Sequence, residues 1–286
     1  MTALSVIVST YNKPAALEKV LHGFAFQTQK NFELVIADDG STAETADLIA
    51  RVRDATGMDI VHVWHEDRGF RKTEILNRAI LVAQSDYLLF TDGDCIPRAD
   101  LIEVHRRLAR PRRYVAGGYV KLPADISDEV SLDDVESGRF AELRWLRNRG
   151  WKPGRRALRL SRWWPLATIL DWITPTAADF HGNNASTSRE AIFEVNGFEG
   201  EMGYGGLDQA LGYRLQNAGV KGIQARHRAV TMHLHHDRPY RDPATVMQNK
   251  EIMRRIRRDG EIRARSGLAE LVPDPSLRVN RKTTSD

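Results

Sequence analysis

A helix-flanked, mainly parallel α/β sheet is the fold class this sequence predicts, on three observations. Short β-branched apolar runs alternate with stretches of helical periodicity over the first 120 residues. Each apolar run ends in a polar cluster, as parallel strands do at their ligand-binding carboxyl ends. At 286 residues with 28 % charged side chains the chain is long enough for a large core and ordinary in balance, which excludes a disordered or histone-like protein.

The elements follow in order. Leu4–Ser9 is an apolar run suited to a strand buried on both faces. Pro14 opens a helix whose stripe is Leu17, Val20, Leu21 and Phe24 at i, i+3, i+4 and i+7. Phe32–Ala37 repeats the strand signal and ends at Asp38-Asp39-Gly40-Ser41. Thr45–Val52 reads as a helix, Ile60–Trp64 as a strand, and Ile75, Leu76, Ala79, Ile80 and Ala83 as a further helical stripe. Tyr87–Phe90 is a strand running into Thr91-Asp92-Gly93-Asp94. The clusters Thr10-Tyr11-Asn12, Asp38–Ser41, Glu66–Lys72 and Asp92–Asp94 therefore fall on one rim.

The middle, about 124–176, differs. Asp125–Glu136 is acidic, Arg139–Arg162 is strongly basic, and Trp145, Trp151, Trp163, Trp164 and Trp172 all lie in this stretch. Three readings stand, in this order: core tryptophans beside a solvated basic face, docking to a membrane interface or acceptor, and stacking on single-stranded nucleic acid. From Asp179 the α/β texture returns, with Gly182-Asn183-Asn184, a helix at Arg189–Val195 and the loop Gly203-Tyr204-Gly205-Gly206. A helix at Asp208–Asn217 closes at Gly219, and Arg226–His233 is the last expected strand. A basic helix, Val246–Arg258, precedes a polar tail expected to be mobile.

The single cysteine, Cys95, excludes an intrachain disulfide framework and a Cys-rich zinc site, and suits a reducing cytoplasm. No window approaches 18 uncharged apolar residues, and Met1-Thr2-Ala3 lacks the basic start of a signal peptide. The expected location is cytoplasmic, with peripheral contact on the inner face of a membrane through 139–172 and 246–265.

Asp92-Gly93-Asp94 carries the strongest chemical signal. Carboxylates at i and i+2 after a buried strand share a direction, repel one another, and are relieved by an oxygen-preferring cation such as Mg²⁺ or Mn²⁺. Gly93 lets a bulky ligand approach the backbone. The alternative is a surface turn. His233-Leu234-His235-His236, after the apolar Val230-Thr231-Met232, offers imidazoles to the same kind of cation.

Val8-Ser9-Thr10-Tyr11-Asn12, Asp38-Asp39-Gly40-Ser41 and Asp92-Gly93-Asp94, in that order, resemble the family 2 glycosyltransferases of the GT-A fold. Glu66-Asp67-Arg68-Gly69-Phe70-Arg71 followed by Asn77 is similar to the bacterial polysaccharide and lipopolysaccharide branch. Gly182-Asn183-Asn184 and Gly205-Gly206-Leu207-Asp208 with Gly212-Tyr213-Arg214-Leu215 resemble the acceptor half of galactosyltransferase-like and chondroitin-polymerase-like enzymes. Leu207 departs from the family's usual Glu and Tyr204 from its usual Trp.

The resemblance implies a GT-A domain over 1–240, made of a nucleotide-sugar half (1–120), a basic Trp-rich insert (121–178) and an acceptor half (179–240). A helical extension and mobile tail follow over 241–286. It implies inverting transfer of a hexose or N-acetylhexosamine from a UDP-sugar to a glycan or lipid-linked acceptor, with Mn²⁺ or Mg²⁺ and no nucleic-acid partner. Thr10, Tyr11 and Asn12 would hold the nucleotide, Asp39 would accept from the base, and Arg71 and Asn77 would join them. Tyr11 and Asn12 also fit a capped helix start. Asp94 would ligate the metal directly, Asp92 through water or ribose beside Gly93, and His233 as a ligand, with His236 on phosphate. Asp208 would be the general base, although a first-turn carboxylate also stabilises a helix dipole. Asn183, Asn184, Tyr204, Gly205 and Gly206 would meet sugar. The rivals are a sugar-nucleotide nucleotidyltransferase, whose Gly-rich first loop is missing from Thr10–Pro14, and a non-enzymatic basic protein binding nucleic acid or membrane.

Overall fold

The computed structural model describes residues 4–236 and 242–281. The sequence-level statement about Met1-Thr2-Ala3, and the last residues of the tail, 282–286, lie outside them, as do 237–241 between the acceptor half and the extension. Nine strands form one mixed sheet: β1 (Leu4–Thr10), β2 (Phe32–Asp38), β3 (Ile60–Trp64), β4 (Tyr87–Asp92), β5 (Cys95–Pro97), β6 (Arg113–Lys121), β7 (Ala185–Ser188), β8 (Lys221–His233) and β9 (Arg278–Asn280). Their order is β5-β8-β6-β7-β4-β1-β2-β3-β9. The β3-β2-β1-β4 run is parallel, as the alternating sequence predicts, with Val8 beside Ile36 and Thr91. Beyond β4 the pairing turns mixed: β7 is antiparallel to both β4 and β6, while β6 and β8 are parallel.

The helices are α1 (Pro14–Ala25), α2 (Ala43–Thr56), α3 (Lys72–Val82), α4 (Leu101–Leu108), α5 (Ala124–Glu129), α6 (Leu132–Glu136), α7 (Leu143–Asn148), α8 (Trp164–Ile173), α9 (Arg189–Glu194), α10 (Leu207–Asn217) and α11 (Pro243–Asp259). They cover both faces of the sheet. Period-2 alternation sorts β1 between two cores: Leu4, Val6 and Val8 join one, with Phe24 and Leu48, and Ile7 joins the other, with Ile75, Phe90 and Leu211.

A bulge between Gly117 and Gly118 shifts the β6–β8 register and lets Asn184 enter the core. A Cβ on Gly118 would stand 2.2 Å from the Arg226 carbonyl oxygen, so only glycine fits. Asn184 donates to the Gly118 and Ala229 carbonyls at 2.8 and 3.0 Å and meets His105 Nε2 at 2.8 Å.

Two expectations change. The tail is packed over 261–281: Asn196 bonds the Ala264 carbonyl and Glu270, Arg281 pairs with Glu33, and β9 adds antiparallel to β3. Arg226–His233 is therefore not the last strand, and it also begins earlier, at Lys221. The polar composition that suggested mobility instead supplies the bonds that anchor the segment. No helix among the described residues is long and apolar enough to cross a membrane.

Candidate active site

The carboxyl ends of β1, β2 and β4 and the end of β8 surround a cavity of about 700 Å³, closed on the far side by the Gly203–Gly206 loop and α11. Thr10, Tyr11, Asp39, Asp92, Gly93, Asp94, Asn183, Tyr204, Gly205, Gly206, Asp208, His233 and His236 all line it. Residues from both halves of the sequence thus meet in one place.

Asp92 and Asp94 separate in role. Asp92 accepts from Ser9 Oγ at 2.6 Å and from Lys72 Nζ at 2.7 Å. Burial alone would raise the Asp92 carboxyl, but Lys72 and the Ser9 hydroxyl outweigh it and hold the group below the usual carboxylate range. Asp94 lies 3.3 Å from His236 Nε2, 3.7 Å from Lys13 Nζ and 4.0 Å from His233 Nε2. The Leu234 carbonyl lies 2.7 Å from His233 Nδ1 and can only accept, so Nδ1 carries a proton and Nε2 is the nitrogen turned towards Asp94. Strand pairing sets this up, because β5 and β8 place Cys95 opposite His233.

Those donors fit a divalent cation. Asp94 Oδ1 and His233 Nε2, 4.0 Å apart, are near enough to reach one ion lying between them at metal–ligand bond lengths of roughly 2.0–2.2 Å. The Cys95 thiol is close to both, and burial and then the Asp94 charge push it well above its ordinary range in the metal-free protein. Asp94 and His233 thus offer oxygen and nitrogen to a divalent cation.

Asp208 stands in the first turn of α10, behind Gly206 at φ +82°. Its Oδ1 is buried and closes no hydrogen bond, and the Gly182 amide lies beside the carboxylate. A Cβ at Gly182 would come within 2.4 Å of Oδ1, so this approach needs glycine. Burial raises the Asp208 carboxyl, Lys72 opposes that shift, and Asp92 adds to it. A carboxylate poised above its ordinary value is a stronger proton acceptor.

Lys72 is the residue that motif reading missed. Burial alone would lower its ammonium, yet Asp92, Asp208 and Asp94 raise it above its ordinary value. The only sequence signal was its place at the end of the polar run Glu66–Lys72, at the first position of α3. Lys13, His181, Gln209 and, from α11, Val246, Lys250 and Met253 also line the cavity. The Asn249 amide donates to the Gly203, Tyr204 and Gly205 carbonyls, tying the Gly-rich loop to α11.

Four expected contacts lie elsewhere. Arg71 is turned away from the cavity: its guanidinium bonds Glu74, Asp274 and the Glu66 carbonyl, and its backbone N–H donates to Asp39. Asn77 is buried and closes on the backbone of Phe198 through both ends of its amide. Asn184 is spent on the bulge described above. Asn12, at φ +47°, accepts from Thr42 N–H and so ties the first two rim loops together; it does not cap α1. The Asn77 and Asn184 amides go to buried backbone groups and the Arg71 guanidinium to carboxylates and one carbonyl, demands invisible in a motif. Asp39 does line the cavity, with His65 Nε2 at 2.8 Å from Oδ1.

A family model described as Glycosyl transferase family 2 matches residues 5–192. A validoxylamine A glucosyltransferase from Streptomyces hygroscopicus is 29 % identical over 240 residues, covering 78 % of this chain and 56 % of that one. A hyaluronan synthase from Pasteurella multocida is 27 % identical over 245 residues, covering 78 % and 24 %. This chain thus spans about half the length of one and a quarter of the other. Among solved structures, a mannosyltransferase from Pyrobaculum calidifontis in complex with GDP-Man and Mn²⁺ superposes with a TM-score of 0.55 at 22 % identity, over 83 % of this chain and 58 % of that one, a likeness of fold.

Proposed function

The chain belongs to glycosyl transferase family 2, and we propose on that premise that it moves a hexose or N-acetylhexosamine from a UDP-sugar to a hydroxyl of a glycan or lipid-linked acceptor, with inversion at the anomeric carbon. One observation carries the reading: a buried carboxylate with an unbonded oxygen, Asp208, shares a cavity with the Asp92–Asp94–His233 group.

In the proposed reaction the acceptor oxygen attacks C1 of the donor sugar. The bond from C1 to the diphosphate breaks, its electron pair leaves with the nucleotide, and the acceptor proton passes to Asp208. Displacement from the face opposite the leaving group inverts the centre. Asp94 and His233, with Asp92 close by, would hold a divalent cation, which when bound offsets charge on the departing diphosphate. Lys72 keeps Asp92 ionised and adds a positive charge beside Asp208, so both carboxylates can be charged in a partly buried site. Thr10, Tyr11 and Asp39 line the part of the cavity assigned to the nucleoside, and Asn183, Tyr204 and Gly205 the part assigned to sugar. The relative named as a validoxylamine A glucosyltransferase supports sugar transfer, and the one named as a hyaluronan synthase supports a glycan acceptor.

The test pairs binding with turnover. Calorimetric titration with UDP should show affinity that rises with Mn²⁺ in the wild type and loses that rise in Asp94→Ala. Asp208→Asn should bind UDP normally and fail to transfer sugar. Metal-independent UDP binding, or turnover by Asp208→Asn at the wild-type rate, would refute the assignments.

A further inference from the structure

α8 is two-faced. Its inner side is pinned by Asp171, which accepts from the His227 amide at 2.8 Å and from Arg228 Nε at 2.7 Å. Trp164 packs inward beneath the Arg107 guanidinium, 4.0 Å from the ring. Its outer side carries Pro165, Ile169, Trp172 and Ile173 at i, i+4, i+7 and i+8, one helical stripe. Trp172 is 85 % exposed, Ile173 57 % and Ile169 55 %, and Trp163 just before the helix is 66 % exposed. Large apolar side chains left in water together, on a helix already anchored by its other face, mark a contact surface.

The surrounding charge says what kind of contact. Between 143 and 178 the only acidic residue is Asp171, and it is buried and paired. Arg144, Arg147, Lys152, Arg155, Arg156 and Arg162 are exposed, and no ion pair among the described residues engages them. A second copy of this chain would bring like charge against like charge. Nucleic acid would use the rings for stacking and leave Ile169 and Ile173 without a role. A bilayer carrying anionic lipid uses everything present: the aliphatic stripe enters the acyl boundary, the tryptophans sit at headgroup depth and the arginines meet phosphate.

We propose that the outer face of α8, from Trp163 to Ile173, docks on an anionic membrane surface, with the arginines of 144–162 as its electrostatic rim. The segment 174–180 then runs straight to His181 and Asn183 at the cavity, and it is held down by Tyr114 and by Gln224, which donates to the Thr176 carbonyl. Docking would fix that end of the cavity relative to the bilayer. The proposal goes beyond the transfer reaction and stands or falls without it.

Flotation of the full chain with vesicles tests it. Phosphatidylcholine vesicles containing phosphatidylglycerol should carry the protein, phosphatidylcholine alone should not, and added salt should release it. Trp172→Ser with Ile173→Ser should weaken partition roughly tenfold or more, since two interfacial anchors are lost. Arg155→Gln with Arg156→Gln should weaken it by roughly ten- to thirty-fold. Both variants should keep wild-type hydrolysis of the donor. Absence of flotation, flotation unchanged in the Trp172 variant, or a dimer in sedimentation velocity that this variant dissociates would overturn the proposal. So would retention of RNA without flotation.

Discussion

The rim of the cavity and the outer face of α8 use similar side chains to opposite ends. At the rim two cations have addresses: Lys72 is held by Asp92, and Arg71 by Glu74 and Asp274. Around the outer face of α8, Arg144, Arg147, Arg155, Arg156 and Arg162 are exposed, and Trp172 is 85 % exposed. A charge fixed to a partner in a poorly solvated place acquires a position and a shifted acidity, which is what chemistry needs. A charge left in water keeps its reach but loses its specificity, which suits attraction to a broad surface and contributes little to stability.

Substitutions on each side should sharpen that contrast. The largest effect is expected at Asp208→Asn, a loss of roughly 100- to 10,000-fold in kcat with circular dichroism unchanged; an equal loss in Arg155→Gln with Arg156→Gln would break the comparison. Next comes the buried network behind the rim. Asn184→Ala deletes the amide that reaches Gly118, Ala229 and His105, and should cost about 3–4 kcal/mol in urea denaturation.

His105 gives a pH signature from the same network. Burial lowers its imidazole from the ordinary 6.5 to about 4, only partly offset by Asn184. The folded value lies below the unfolded one, so this contribution is fully present above about pH 6.5. It should fade as pH falls towards 4, up to about 3 kcal/mol in all. His105→Gln should flatten that part of the stability–pH curve.

Lys72→Met removes a cation that opposes the upward shift of Asp208, so the acid limb of the kcat–pH profile should move to higher pH. A limb that stayed in place would place Lys72 outside the charge balance of the base. The smallest effect is expected at α8's rim: Arg155→Gln with Arg156→Gln should alter unfolding free energy by no more than about 0.5 kcal/mol.

Much of this was legible in the residues themselves. β1 to β4 announce themselves as short apolar runs, β-branched in the first three, because a strand buried on both faces is mostly apolar along its length. Asp92 and Asp94 stood out as a carboxylate pair and His233 as an imidazole after a strand, whereas Asp208 was singled out by resemblance to the family's acceptor motif; all four line one cavity. Lys72 escaped, since a lysine at a helix start resembles any solvated lysine until two distant carboxylates are folded against it. Arg71 was misplaced for the complementary reason: its partners Glu74 and Asp274 are 3 and 203 positions away, and only the second decides which way it points. Asn77 and Asn184 resembled ligand groups because buried backbone groups, at Phe198 for one and at the bulge for the other, compete for an amide as well as a sugar does. The short β9 had too little apolar content to read as a strand, and its pairing depends on an edge that the sequence around it does not reveal.

The packed C-terminal segment has a consequence for how the nucleotide end of the cavity is kept in shape. Asp274 grips Arg71, Ser276 Oγ accepts from the Glu66 amide, and Arg281 reaches Glu33 and Asp59. A strap that crosses the loop delivering Lys72 makes that loop's stiffness a property of sequence some two hundred positions downstream. Clipping the chain after Glu261 should therefore slacken the grip on the donor while leaving every residue that touches it in place.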